Sequence, residues 1–158
     1  MALRRVQLPP EVAGQLWLGP MPGRFQAWSA FAVEAQRCGL GLVVCLTPKP
    51  ELAELSPDYH AALARGRLPF RWMHMPMRNF GLPEDPAAFR RDVGAIADAI
   101  REGKAVLLHC AAGMGRTGTA AACVLKSLGL DTPHALQHVR DAGSNPQNAE
   151  QSGLVEWF

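Results

Sequence analysis

Residues 109–119, with the sequence HCAAGMGRTGT, are the stretch from which the fold and the chemistry of this chain are best interpreted. Cys110 stands six positions before Arg116, and three glycines lie in and around the turn between and after them. An apolar run at residues 105–108 precedes the stretch, and an alanine-rich pattern of helical period follows it. This order predicts a strand, a tight loop and the start of a helix.

The residue types in this loop indicate chemistry on an anion. Backbone N–H groups between a strand and a helix point into the loop, and the helix dipole adds positive potential there. A cysteine in that field is expected to be a thiolate, so Cys110 is predicted to be a nucleophile that attacks phosphorus. Arg116 offers a planar fork for two phosphoryl oxygens. The hydroxyl of Thr117 is placed to donate to the sulfur and to stabilise it as a leaving group.

Two other interpretations of the loop carry less weight. Residues 113–118 also fit the GxGxxG string of dinucleotide sites, but that site follows the first strand and has an acid near the end of the next strand. Here the next acid, Asp131, falls at the end of the following helix. A cysteine after a strand is often simple packing, and only its spacing to Arg116 argues against that interpretation.

Composition favours a single globular domain over residues 1–158, with a net charge of only +2. That charge gives no reason to expect a nucleic-acid or membrane partner. No apolar run approaches the roughly 20 residues that cross a bilayer, and the first residues do not resemble a signal peptide. The four cysteines lack CxxC or histidine-rich spacing. We therefore expect reduced thiols, a cytoplasmic location and no metal or other cofactor.

Working outward from the loop, the sequence predicts alternating strands and helices. Strands are expected at residues 16–19, 40–46, 70–77 and 105–109. Helices are expected at residues 24–38, 56–66, 85–103 and from the loop to Gly129, with two more opened by Thr132-Pro133 and Asn145-Pro146. The alternation predicts an α/β domain with a central, largely parallel sheet of four to five strands flanked by helices.

The loop resembles the HCxxxxxR(S/T) signature of the cysteine-dependent protein tyrosine phosphatases. Chain length and short spacing between elements resemble the compact dual-specificity-type branch, over residues 16–158. The resemblance implies that Cys110 is the phosphocysteine nucleophile, that Arg116 clamps the phosphate and that His109 tunes the thiolate. It also implies that the phosphate-binding N–H groups come from Ala111, Ala112, Gly113, Met114 and Gly115.

The resemblance also reveals a departure at the general acid. The family usually places an aspartate on the loop before the long helix, and Asn79 stands where that pattern favours it. A positioned acid contributes on the order of 10²–10⁴-fold. Three accounts stay open: Asp85 or Glu84 serves instead, the substrates are aryl phosphates with good leaving groups, or Asn79 slows turnover and leaves binding intact. Asp85, followed by proline, is also a good helix N-cap.

A glutamine near the C-terminus positions the hydrolytic water in related phosphatases. The resemblance favours Gln151 over Gln147 for this role, and a solvated glutamine on an amphipathic final helix is the equal alternative.

Together these features predict phosphomonoester hydrolysis by a protein tyrosine or dual-specificity phosphatase acting on a phosphorylated protein or a small phosphoester. The alternative is a phosphate-binding pseudophosphatase or weakly active module, because of Asn79. Residues 111–115 contain no lysine. Relatives that act on inositol phosphates or phosphoinositides often carry basic residues there, so the resemblance disfavours a polyanionic substrate. Sulfur transfer and arsenate reduction are disfavoured by the spacing of cysteine to arginine and by the position of the loop late in the chain.

Overall fold

A five-stranded sheet forms the centre of the protein, and the computed structural model describes residues 3–158. The strands are β1 (Arg4–Val6), β2 (Gln15–Gly19), β3 (Leu40–Cys45), β4 (Arg71–His74) and β5 (Ala105–His109). Their order is β1-β2-β5-β3-β4, with β1 antiparallel to β2 and the other pairs parallel. The predicted single α/β domain with a largely parallel sheet is confirmed. Residues 1 and 2 of the predicted domain lie outside the described part.

The central strand β5 places the Cys110 loop in the middle of one sheet edge. All of its residues are buried, as expected for a strand covered on both faces. Its last residue, His109, is in register with Gly19 of β2 and Cys45 of β3. Because these strands run parallel, their carboxyl ends meet at this edge, which is where open α/β sheets bind ligands.

Helices cover both faces of the sheet. They are α1 (Trp28–Arg37), α2 (Lys49–Leu55), α3 (Pro57–Ala64), α4 (Pro86–Arg101), α5 (Gly115–Ser127), α6 (Thr132–Asp141) and α7 (Ala149–Trp157). Val106 and Leu108 of β5 belong to the larger core cluster with α4 and α5, whereas Leu107 packs with Phe31 of α1 on the other face. Helix α5 is buried over residues 115–125 and contacts α4, α6 and α7.

The structure differs from the predicted elements at several ends. β1 and α2 are additional elements, because stretches of three and seven residues show no clear period. The predicted strand at 70–77 ends at His74, and Met77 forms only an isolated bridge with Pro83. The last helix begins at Ala149, because Asn148 and not Asn145 is its N-cap. Within residues 3–158, no helix is long and apolar enough to cross a membrane.

Candidate active site

The Cys110 sulfur lies at the base of a cavity of about 320 Å³ at the carboxyl edge of the sheet. The residue is only 3% exposed. Its Sγ accepts a hydrogen bond from the Gly113 N–H at 3.2 Å and another from the Thr117 hydroxyl at 3.0 Å. Hydrogen bonds to the charged form favour that form. The predicted partnership of Cys110 with Thr117 is therefore present in the structure.

Two carbonyl groups of the loop, those of Ala111 and Met114, are hydrogen-bonded within the protein. The Ala111 oxygen accepts from Met21 N at 3.3 Å and from Arg24 Nη1 at 2.9 Å. The Met114 oxygen accepts from Gly118 N at 2.8 Å. Of the cradle predicted at residues 111–115, Ala111, Ala112, Met114 and Gly115 line the cavity, and the Gly113 N–H donates to the Cys110 sulfur. Phosphate binding by these N–H groups stays a prediction.

Gly113 is required by the shape of this loop. Its φ angle is +75°, in the region that side chains other than glycine rarely adopt. A Cβ at this position would also lie 2.5 Å from the carbonyl carbon of Gly19. The loop therefore packs directly on the backbone at the end of β2.

Arg116 is held in one orientation by a carboxylate from α2. Its side chain is 2% exposed, and Nη2 lies 2.7 Å from Oε2 of Glu51 while Nη1 lies 3.2 Å from Oε1. Nη1 also donates to the Met77 carbonyl at 3.0 Å. A guanidinium has five N–H donors, so the Nε–H and one Nη2–H are left to form a fork for two phosphoryl oxygens. No pattern in the sequence pointed to Glu51, which lies 65 positions from its partner.

His109 is the end of a buried hydrogen-bond chain. The Trp72 indole donates to the Tyr59 oxygen at 2.8 Å, and that oxygen lies 2.8 Å from Nε2 of His109. Because a carbonyl only accepts, the His109 Nδ1–H donates to the Cys110 oxygen at 3.2 Å. In the neutral ring Nε2 then carries no hydrogen and accepts from the Tyr59 hydroxyl. Burial lowers the pKa of His109 to about 4, so the ring is neutral at pH 7. Any tuning of the thiolate by His109 is thus through a donor and not through a cation.

The carboxylates suggested as replacement acids lie outside the cavity. Asn79 is on the cavity wall, as the resemblance implied. Asp85 caps α4, accepting from Ala88 N at 3.0 Å, and it lines a separate cavity together with Glu84. The structure therefore does not bring Asp85 to Cys110, because the capping bond fixes it at the start of the long helix.

The two glutamines stand in the opposite order to the one expected. Gln147 lines the cavity beside Gly115. Gln151 is fully buried behind it: Oε1 accepts from Gln147 N at 2.9 Å, and Nε2 donates to the Gly81 carbonyl at 3.3 Å. The sequence-based preference for Gln151 at the cavity is corrected, because α7 starts later than predicted and turns Gln151 inward.

Comparison with known proteins places this geometry in a family. A family model described as "PTP-SAK: Swiss Army Knife protein, DSP-PTPase phosphatase domain" matches residues 21–152. No curated protein matches the chain. Among solved structures, a kinase associated phosphatase whose catalytic-site cysteine is substituted by serine has a TM-score of 0.85 at 20% identity, covering 99% of this chain and 92% of that one.

Two further structures show the same fold. Tk-PTP in its active form is 27% identical, with a TM-score of 0.70, and the match covers 94% of this chain and 95% of that one. A human tyrosine phosphatase-like serine/threonine/tyrosine-interacting protein is 18% identical, with a TM-score of 0.69 and coverage of 97% and 93%. With the family model matching most of the chain and the cysteine loop intact, the chain belongs to the dual-specificity-type protein tyrosine phosphatase domain family.

Proposed function

We propose that the protein hydrolyses phosphotyrosine and related aryl phosphomonoesters through a phosphocysteine formed on Cys110. The observation that carries the proposal is the convergence of a hydrogen-bonded sulfur, a fixed guanidinium and the first turn of α5 on one small cavity. Family membership supports cysteine-based phosphatase chemistry. The substrate class is our own inference.

In the first step the Cys110 thiolate attacks phosphorus in line with the ester oxygen. The S–P bond forms while the P–O bond breaks, and the leaving oxygen departs with the electron pair of that bond. The free fork of Arg116 and the inward N–H groups hold the equatorial oxygens, whose charge is present throughout the transition state. Glu51 keeps that fork in place.

In the second step water attacks phosphorus, and the S–P bond breaks with its electron pair going to the Cys110 sulfur. Phosphate, which keeps the protons of the water, leaves the regenerated thiolate. The Thr117 hydroxyl and the Gly113 N–H stabilise the departing sulfur. The amide of Gln147, on the cavity wall, is placed to orient the water. We assign the water-positioning role to Gln147, with Gln151 holding its backbone.

The cavity wall supports an aryl substrate. Leu55, Phe80 and Met114 provide apolar surface beside the cradle, and Arg24 adds one cation at the rim. Asn79 cannot donate a proton usefully, so esters whose leaving oxygen needs little protonation are favoured. This combination suits a phosphotyrosine side chain on a protein, or a small aryl phosphate. We further propose a cytoplasmic location, supported by four unpaired cysteines.

Turnover of aryl phosphates with different leaving groups tests this proposal. We expect hydrolysis in the presence of a metal chelator, a rate that falls steeply as the leaving-group pKa rises, and loss of all turnover in Cys110→Ser. A matched control is Cys38→Ser, on a partly exposed thiol outside the cavity, which should keep full activity. Activity that persists in Cys110→Ser would overturn the mechanism.

Asn79 in the cavity favours a second candidate, a phosphate-binding module with little turnover. The fold accommodates such a protein, since one similar structure is described as phosphatase-like and interacting. Tight binding of a phosphotyrosine peptide by the wild-type protein, without hydrolysis of any aryl phosphate, would favour this candidate.

A further inference from the structure

The arginine side chain of Arg4 is hydrogen-bonded to the loop between Cys110 and Arg116. Neither the loop signature nor the proposed mechanism uses this arginine. Arg4, in the short edge strand β1, donates from Nη2 to the Gly113 carbonyl at 2.6 Å. Its Nη1 donates to the Ala142 carbonyl at the end of α6 at 2.7 Å. The hydroxyl of Ser144 donates to the same Gly113 oxygen at 2.6 Å. One carbonyl of the loop therefore receives two short hydrogen bonds, one of them from a cation.

The geometry of a peptide bond links this contact to the cavity. The Gly113 carbonyl and the Met114 N–H belong to one planar peptide and point in opposite directions. Because the carbonyl points back toward Arg4, the N–H points toward the interior of the loop. A charge-assisted bond to the oxygen polarises the peptide, and hydrogen bonds in such a chain strengthen one another. The N–H is thereby made a better donor to a bound phosphoryl group.

The backbone around Arg4 is shaped to admit its guanidinium. Gly143 has a φ angle of +86°, and a Cβ there would lie 2.6 Å from Nη1 of Arg4. The Ala142 carbonyl is at a helix C-terminus, where a cation is favourable. Partial burial lowers the pKa of Arg4, and the charge of Cys110 acts in the opposite direction.

We propose that Arg4 is a positioning residue for phosphate capture: it orients and polarises the Gly113–Met114 peptide. The catalytic consequence depends on the proposed function. The consequence for anion binding does not, and it is measured separately.

The test compares Arg4→Met, which removes the charge and keeps the length, with Arg4→Lys, which keeps the charge and loses the fork. Arg5→Met is the matched control, because Arg5 is exposed on the same strand and lies over the Trp17 ring. For Arg4→Met we expect about tenfold weaker tungstate binding by calorimetry. Arg4→Lys should fall between it and the wild type, and Arg5→Met should match the wild type.

A purely structural role for Arg4 predicts a different result. In that case Arg4→Met lowers the melting temperature and leaves the tungstate affinity at its wild-type value, which would overturn the proposal. If Arg4→Met does not fold, Ser144→Ala decides, because it removes the other donor to the same carbonyl. It should weaken tungstate binding about threefold, and unchanged binding refutes the proposal. Wild-type protein that binds tungstate in this Arg4-dependent way but hydrolyses nothing would refute only the proposed function.

Discussion

The side chain of Asn79 occupies the position where a proton donor for the leaving group is expected. It lies on the cavity wall. The carbonyl groups of the next two residues are hydrogen-bonded: Phe80 O accepts from Asn148 Nδ2 at 2.6 Å, and Gly81 O accepts from Gln151 Nε2. Phe80 has a φ angle of +60°, which is uncommon for a bulky residue and occurs where the surrounding structure enforces it. The loop therefore presents position 79 to the substrate in a defined way.

Asn79→Asp should convert this position into a general acid. We expect the rate for an alkyl phosphate to rise on the order of 10²-fold, and that for an activated aryl phosphate to rise much less, because only the poor leaving group needs the proton. Steady-state kinetics on the two substrates measures the ratio. An equal gain, or none, would show that position 79 does not serve as the acid.

Asp85→Asn tests whether Asp85 serves as the general acid. The structure uses the Asp85 carboxylate as the cap of α4, outside the cavity, so we expect little change in kcat. Loss of a capping carboxylate costs about 0.5–2 kcal/mol when the cap is removed entirely, and less when asparagine replaces it. A large loss of kcat without a loss of stability would reinstate Asp85 as a catalytic acid.

At the scale of elements, the short helix α2 contributes the carboxylate that orients Arg116. Glu51 is in its first turn, and among the described residues that line the cavity it is the one carboxylate. A bidentate carboxylate gives the guanidinium a geometry that a neutral amide cannot reproduce. It also places a negative charge near the bound phosphoryl group, which opposes phosphate binding.

Glu51→Gln is therefore expected to separate binding from catalysis. We expect kcat to fall about tenfold because Arg116 loses its fixed orientation, while inorganic phosphate inhibits the variant at least as well as the wild type because a repelling charge is gone. Glu54→Gln, on an exposed position of the same helix, is the control. Parallel losses in kcat and in phosphate affinity would contradict this division of roles.

The elements that the sequence did not predict are those that support the site from a distance. The loop itself was predictable, because Cys110, Arg116 and the glycines lie within a few residues of one another in the sequence. Arg4 in β1 and Glu51 in α2 were not, since three- and seven-residue elements carry no period and their partners lie 109 and 65 positions away. The order of Gln147 and Gln151 depended on which asparagine caps α7, a choice that both Asn145 and Asn148 satisfy as residue types.

In the molecule as a whole, the parallel strands of the core determine where the active site lies. The carboxyl ends of β2, β3 and β5 meet at one edge, and the alternation of strands and helices predicted this edge. The buried chain from Trp72 through Tyr59 to His109 then ties the core on one face of the sheet to the Cys110 carbonyl. His109 is therefore a titratable group on which both the folding stability and the geometry of the site depend.

That shared group predicts a specific dependence of stability on pH. Burial lowers the pKa of His109 from 6.5 to about 4, so between these values the unfolded chain binds more protons than the folded one. Stability contributed by the neutral ring is complete above pH 6.5 and is lost as pH falls toward 4. The stability contributed by Asp131, whose pKa is lowered chiefly by the backbone N–H of His134, is complete above its usual 3.8 and is lost only below that value, outside this window.

Urea unfolding of the wild type and of His109→Asn between pH 7 and pH 4.5 measures this effect. The wild type should lose free energy of unfolding steadily below pH 6.5. The variant should be less stable at pH 7, because the Tyr59 hydroxyl and the Cys110 carbonyl lose their buried partners, but its stability should change less over the same interval. Tyr59→Phe separates the two contributions: it removes the two hydrogen bonds of the Tyr59 hydroxyl, with Trp72 and with His109, and keeps the imidazole, so it should be destabilised yet retain the slope. Equal slopes for the wild type and His109→Asn would show that His109 is not the group that links acid to unfolding.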